Sequence, residues 1–233
     1  MKASDLFIKC LENEEVEYIF GVPGEENEDI MLSLMNSKIK FIPTRHEQGA
    51  AFMAAVYGKL TGKAGVCLST LGPGAMNLTT GLADAHLGSM PVVAITGQAG
   101  LHRFHKENFQ FIDVVRSFRP ITKWNTSITI PSAIPEAVRK AFKVAESEKP
   151  GPTHLELPED VAKKDIDAEP LKKIKVRRPS ADSKAIEQAI EMIKHAKAPL
   201  ILAGNGCIRT RVSKQLNAFV EERGIPIVHT QMG

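Results

Sequence analysis

The stretch Phe41-Ile42-Pro43-Thr44-Arg45-His46-Glu47-Gln48-Gly49-Ala50-Ala51 decides how this chain is read. Phe41-Ile42-Pro43 has the apolar character of a buried strand end, and the Ala-rich residues 48–60 have that of a helix. Glu47 falls at the seam, at the carboxyl end of a strand, where open α/β sheets place their ligands. A carboxylate there, among apolar and small residues, can hold a raised pKa and exchange a proton with a heterocycle. The position equally suits a first-turn Glu that complements the helix dipole, and position alone does not separate the two roles.

Outward from that seam the same alternation repeats. Leu6, Cys10, Leu11 and Val16 are spaced for a first helix of about three turns. Tyr18-Ile19-Phe20-Gly21-Val22 reads as a strand broken at Pro23-Gly24, and residues 27–35 as a helix with Asn27 as N-cap. Residues 64–69 and 91–95 read as buried strands, each leading into a glycine-containing turn, with a helix over 75–86 between them. Further on, the pattern predicts helices over 110–118 and 135–146 and strands over 121–124 and 154–158. Strands alternating with helices of this length predict an α/β fold with a doubly wound parallel sheet.

Residues 1–162 are read as one domain. A Lys-, Asp- and Pro-rich stretch over 163–182 has the composition of a linker. A second alternation then begins, with helices over 183–195 and 212–223 and strands over 199–204 and 226–228. Two strands and two helices leave sheet edges and apolar faces uncovered, so residues 183–233 read as the incomplete start of a second Rossmann-like α/β domain.

Of the 233 residues, 43% are hydrophobic and 24% charged, which is globular composition, and a formal charge of +3 does not argue for nucleic acid. The densest basic run, Lys172-Lys173-Ile174-Lys175-Val176-Arg177-Arg178, lacks interleaved aromatics and reads as solvated linker. Cys10, Cys67 and Cys207 show no metal-ligand spacing, and Cys67 lies in an apolar run that reads as core. No stretch reaches the length of a membrane span, and Met1-Lys2-Ala3-Ser4-Asp5 leads directly into a helix instead of a signal peptide. A cytoplasmic protein is expected.

Two further strand-end loops carry special residues. Gly72-Pro73-Gly74, with Asn77 one turn on, lets backbone approach a ligand, yet lacks the Gly-Lys-Ser/Thr of a P-loop and could be a plain tight turn. Pro23-Gly24 is a second such loop. In a doubly wound sheet these loops and Glu47 share one edge and can line one crevice. His46 is read as structural, because sequence neighbours at a helix start rarely face each other. His102, His105 and Lys106 do not have zinc-site spacing, and Gly204-Asn205-Gly206 reads as a turn.

Taken together, the ordered stretches resemble the N-terminal, pyrimidine-binding domain of thiamine-diphosphate enzymes of the acetolactate synthase (acetohydroxyacid synthase) family, followed by the start of their central domain. They include Phe20-Gly21-Val22-Pro23-Gly24, Arg45-His46-Glu47-Gln48-Gly49-Ala50, Leu71-Gly72-Pro73-Gly74-Ala75-Met76-Asn77-Leu78, Gly81-Leu82-Ala83-Asp84-Ala85, Phe109-Gln110 and Pro150-Gly151-Pro152. The resemblance implies that Glu47 is the acid–base partner of the cofactor's aminopyrimidine ring, hydrogen-bonded at N1′. It implies that Pro23, Gly24, Gly72, Pro73, Gly74 and Asn77 shape the site around that ring, and that Phe109 and Gln110 approach the substrate. It further implies a 2-oxo acid substrate such as pyruvate, a homodimer or tetramer, and a possible regulatory small subunit.

Two departures matter. FAD-binding members of the family carry Arg before Pro-Gly-Pro and Lys after the last strand, where this chain has Lys149 and Glu159. Lys lacks the planar fork of Arg, and Glu reverses a charge, so FAD is left open. The Gly-Asp-Gly segment that holds diphosphate and Mg²⁺ in the family has no counterpart here, and no metal ligand is assigned in this chain. The chain is therefore read as an N-terminal fragment of a carboligase, inactive alone. A decarboxylase or lyase acting on another 2-oxo acid, and a non-catalytic binding module, stand as the other readings.

Overall fold

A computed structural model describes residues 1–104, 106–174 and 180–232. His105, residues 175–178 of the basic run, Pro179 and Gly233 lie outside them. The chain divides into two units, Met1–Arg178 and Pro179–Gly233.

In the first unit the strands are β1 (Tyr18–Gly21), β2 (Lys40–Pro43), β3 (Gly65–Ser69), β4 (Val92–Gln98), β5 (Trp124–Ser127) and β6 (Pro152–Pro158). The helices are α1 (Ala3–Asn13), α2 (Glu28–Leu34), α3 (Glu47–Thr61), α4 (Gly72–Asn77), α5 (Thr79–Gly88), α6 (Val114–Phe118), α7 (Ile134–Glu146) and α8 (Glu159–Ala162). The strands form one sheet in the order β2-β1-β3-β4-β6-β5, with every pairing parallel. A parallel sheet is covered on both faces, which is why β3, β4 and β6 are buried throughout and read as apolar runs. On one face Val66, Leu68, Val93, Ile95, Leu155 and Leu157 pack with α1, α2 and α7; on the other, Cys67, Val92 and Ala94 pack with α3, α5 and α6. Burial pushes the Cys67 thiol up to about 12, consistent with an inert core residue.

The strand order has a consequence for ligands. From β1 the chain moves outward to β2, then returns to place β3 on the other side of β1, so the order reverses between β1 and β3. Open α/β sheets bind ligands at the carboxyl ends of the strands flanking such a reversal. Pro23-Gly24 follows β1, Glu47 follows β2, and Gly72-Pro73-Gly74 follows β3.

Several local expectations are corrected. Only residues 114–118 of the expected 110–118 helix are helical: Gln110 has φ +57°, and the Asp113 carboxylate accepts from the Arg116 N–H to start the helix there. The strand expected over 121–124 is Trp124–Ser127, after a 3₁₀ turn at Arg119–Ile121. Asn27 stands at the N-cap position of α2, as expected, but its side chain makes no capping bond; its Oδ1 accepts from Gly24 N at 3.0 Å and closes the turn after β1. The helix expected over 75–86 is two helices, α4 and α5, and it starts earlier: Gly72-Pro73-Gly74 is the first turn of α4. Residues 163–173 run back along α1, with Ile166 N donating to Met1 O and Asn13 Nδ2 to Leu171 O.

In the second unit β7 (Ile201–Ala203) and β8 (Ile227–His229) form a parallel pair, accompanied by α9 (Ser183–His195), α10 (Asn205–Arg209) and α11 (Ser213–Arg223). Ile186, Ile190, Ile193, Leu200 and Leu202 are exposed, as expected for a pair of strands with incomplete helical cover. No helix among the described residues is long and apolar enough to cross a membrane.

Candidate functional site

Residues at the end of β2 and the start of α3 divide two tasks between them. His46 has extended backbone, and its Nδ1 accepts from the Gln48 N–H at 3.1 Å, so the histidine caps α3. That leaves the Glu47 side chain free of the helix end. Glu47 is only 8% exposed, and its Oε2 accepts from Asn77 Nδ2 at 3.0 Å. Asn77 ends α4, so one hydrogen bond joins the loops after β2 and β3 and fixes the carboxyl orientation.

The other oxygen, Oε1, carries no hydrogen bond among the described residues and faces the first turn of α4. A Cβ added at Gly74 would stand 3.1 Å from it, 2.8 Å from Ser69 Oγ and 2.8 Å from Thr70 Cγ2. Gly24 is bounded in the same way: its Cβ would lie 2.5 Å from Thr70 Cβ. Thr70 Oγ1 in turn donates to Glu26 Oε2 at 2.8 Å, tying the loop after β1 to the end of β3. Glycine at 24 and 74 lets these turns close onto Ser69, Thr70 and the half-bonded Glu47 carboxyl, a cradle of backbone that a side chain at either position would disrupt. Pro23 and Pro73 are exposed on its rim.

Gly72 has φ +44°, and its missing Cβ would fall 1.9 Å from the Gln110 carbonyl. The segment bearing Phe109 and Gln110 thus rests directly on the turn after β3. Phe109 is 79% exposed, and Gln110 meets the site through its backbone. Gly72→Ala is expected to destabilise the first unit by about 2 kcal/mol or more, since left-handed strain alone is about 1–2 kcal/mol and the carbonyl clash adds to it. Gly49→Ala, where nothing stands within 4 Å of the new Cβ, is the control and should be neutral or stabilising by up to about 1 kcal/mol. Urea unfolding followed by Trp124, the chain's single tryptophan and part of β5, reads the first unit alone.

Sequence reasoning did not single out Thr70, Gln98 or Glu156. Gln98, at the end of β4, donates through Nε2 to Glu156 Oε2 at 2.9 Å and to the Ile112 carbonyl at 3.1 Å. Glu156 is 2% exposed, and burial pushes its carboxyl up to about 7 against the opposing influence of the Ser127 hydroxyl and the Gln98 amide. The readable signal was a charged residue inside Leu155-Glu156-Leu157, a run that a parallel sheet buries.

The pH consequence follows from that direction. Between about 4.5 and 7 the folded state holds a proton on Glu156 that the unfolded state has lost, so this contribution to stability declines as pH rises through the window. Burial drives His154, on the same face of β6, down to about 3, so its contribution is lost as pH falls below the usual imidazole range. Glu156→Gln removes only the first effect. Relative to the parent chain, the variant should gain about 3 kcal/mol between pH 4.5 and pH 8, measured by urea unfolding on Trp124 emission.

Glu159, at the position where the resemblance expects Lys, is held in the protein's own contacts. Its Oε1 accepts from Gly100 N at 3.3 Å, and its carboxylate pairs with Arg103 at 3.9 Å and Lys163 at 3.3 Å.

A reversed strand order with a carboxyl and two glycine turns at the strand ends is the place where open α/β sheets bind ligands. The sequence matches the thiamine pyrophosphate enzyme N-terminal TPP binding domain over residues 1–117 and the thiamine pyrophosphate enzyme central domain over residues 186–233. The chain belongs to the thiamine pyrophosphate (thiamine diphosphate) enzymes. It is 41% identical over its whole length to the probable acetolactate synthase large subunit of Methanococcus aeolicus, covering 40% of that protein. It is 38% identical to the acetolactate synthase large subunit of Corynebacterium glutamicum, again over the whole chain and 38% of the relative, and 37% identical to the chloroplastic acetolactate synthase of Arabidopsis thaliana. The chain thus spans about two fifths of the length of the curated relatives it matches.

Proposed function

We propose that this chain is the pyrimidine-binding part of an acetolactate-forming enzyme, and that Glu47 is its acid–base residue toward thiamine diphosphate. The observation that carries this reading is the Glu47–Asn77 pair at the strand-order reversal, with Oε1 left open over Gly74. Glycine at 24 and 74 lets backbone at the ends of β1 and β3 come close to a flat heterocycle beside Glu47. Pro23, Gly24, Gly72, Pro73, Gly74 and Asn77 hold the ring. Asn77 keeps Oε2 occupied, so the proton that Glu47 holds or gives up resides on Oε1, directed into the cradle. When bound, the cofactor supplies the carbon nucleophile and electron sink for 2-oxo acid decarboxylation.

Phe109 and Gln110 border the substrate side. The donor is pyruvate and the acceptor a second 2-oxo acid. Mg²⁺ and the diphosphate are held by a separate diphosphate-binding domain, and this chain by itself does not turn over. FAD stays open in this reading: Lys149 and Glu159 stand where FAD-binding members carry Arg and Lys. Met53, Val56 and Leu60 on α3 and Leu87 on α5 are exposed apolar side chains of the kind a second copy would cover.

The test is product analysis of the protein assembled with its diphosphate-binding domain, supplied with pyruvate, thiamine diphosphate and Mg²⁺. Acetolactate supports the proposal. Free aldehyde as sole product would replace it with a simple decarboxylase, and a protein that binds no thiamine diphosphate would sink both.

A further inference from the structure

Phe109 and Gln110 lie in a segment whose location depends on two backbone carbonyls. The Gln110 carbonyl packs against Gly72, and Gln110 itself has φ +57°. Two residues on, the Ile112 carbonyl accepts from Gln98 Nε2 at 3.1 Å. The same Nε2 donates to Glu156 Oε2 at 2.9 Å, and Gln98 Oε1 accepts from Ala99 N at 3.0 Å. Both amide hydrogens are committed and the oxygen is engaged, so a buried amide in this state has one orientation. Strand register supplies the partner: Gln98 stands opposite Pro158 in the parallel pair β4–β6, which places Glu156 two residues back on the same face.

We propose that Gln98 and Glu156 are positioning residues that anchor segment 109–112 to the sheet, and so set the distance of Phe109 and Gln110 from the Glu47 cradle. The role in turnover rests on the enzymatic reading above; the anchoring does not. Glu156 orients the Gln98 amide, Gln98 holds the Ile112 carbonyl, and Gly72 receives the Gln110 carbonyl. Phe104 and Phe111, in edge contact at 5.3 Å between ring centres, add an apolar clasp on the same segment.

Two measurements separate the anchoring from the enzymology. In the chain itself, Gln98→Leu and Glu156→Leu should raise amide hydrogen exchange across residues 106–113 by about tenfold or more, leaving α1 and α7 at parent levels. Glu156→Gln, which keeps an oxygen for Nε2, should hold exchange at the parent level. Should Gln98→Leu not fold, Gln98→Asn keeps the amide, shortens its reach, and carries the same expectation. In the assembled enzyme, Gln98→Leu should raise KM for the 2-oxo acid by about tenfold with kcat within about threefold, because the segment meets substrate and not cofactor. Unchanged exchange in both Gln98 variants would overturn the anchor. Raised exchange with unchanged KM would overturn its role in turnover. A parent enzyme without thiamine-diphosphate-dependent turnover would overturn the enzymatic reading, and the exchange result would still decide the anchor.

Discussion

Replacing Glu47 by Gln is expected to lower kcat of the assembled enzyme by about 10²- to 10⁴-fold while the first unit keeps its stability within about 1 kcal/mol. The two halves of that expectation come from different atoms. Gln retains an oxygen to accept from Asn77 Nδ2, nearly the same volume, and the same start to α3, because the cap is His46 and not Glu47. What it cannot do is hold or release a proton at the atom facing Gly74. The fold should therefore survive and the proton step should fail. Steady-state turnover at saturating thiamine diphosphate, with circular dichroism and urea unfolding on the same preparation, checks both. Near-parent turnover would remove Glu47 from the chemistry and return it to the helix-dipole role that its position also allowed.

That ambiguity shows what the chain disclosed before folding and what it withheld. β3, β4 and β6 were legible because a parallel sheet buries both faces and leaves uninterrupted apolar runs. β5 was placed about three residues early because Trp124–Ser127 is a half-buried edge strand with no such run. The stretch 110–118 has apolar residues at helical spacing, yet left-handed Gln110 and the Asp113 cap hold its first half out of the helix. Repeated β-α units fit several strand orders, so the reversal between β1 and β3 emerged only from the pairings. Glu47, Gly72, Gly74 and Asn77 were recognisable by residue type and place. Thr70, Gln98 and Glu156 were hidden as polar residues within segments whose apolar neighbours dominated the reading. Their partners are 44, 14 and 58 positions away, separations that no local pattern spans.

The second large effect lies away from the site, where α1 meets α7. Arg139→Ala is expected to destabilise the first unit by about 3 kcal/mol at pH 8, where the Glu14 carboxyl is most ionised. Arg139 Nη1 donates to both carboxylate oxygens of Glu14, the residue that closes α1, and the two residues are 9% and 5% exposed. Burial already pushes the Glu14 carboxyl up to about 7 against Arg139 and Lys173; removing the guanidinium takes away the larger of these opposing charges and leaves a buried carboxyl without its hydrogen-bonded cation. The double variant Glu14→Leu with Arg139→Met should recover most of it, because no buried charge then remains to desolvate. Urea unfolding on Trp124 emission is well placed to read this, since β5 packs against α7 and Lys140 lies over the tryptophan ring. pH supplies the discriminating arm. In Arg139→Ala the stranded carboxyl can take up a proton in acid, so the deficit relative to the parent should shrink between pH 8 and pH 4. A deficit of the same size at both pH values would assign the loss to the missing apolar stem of Arg139 and not to charge.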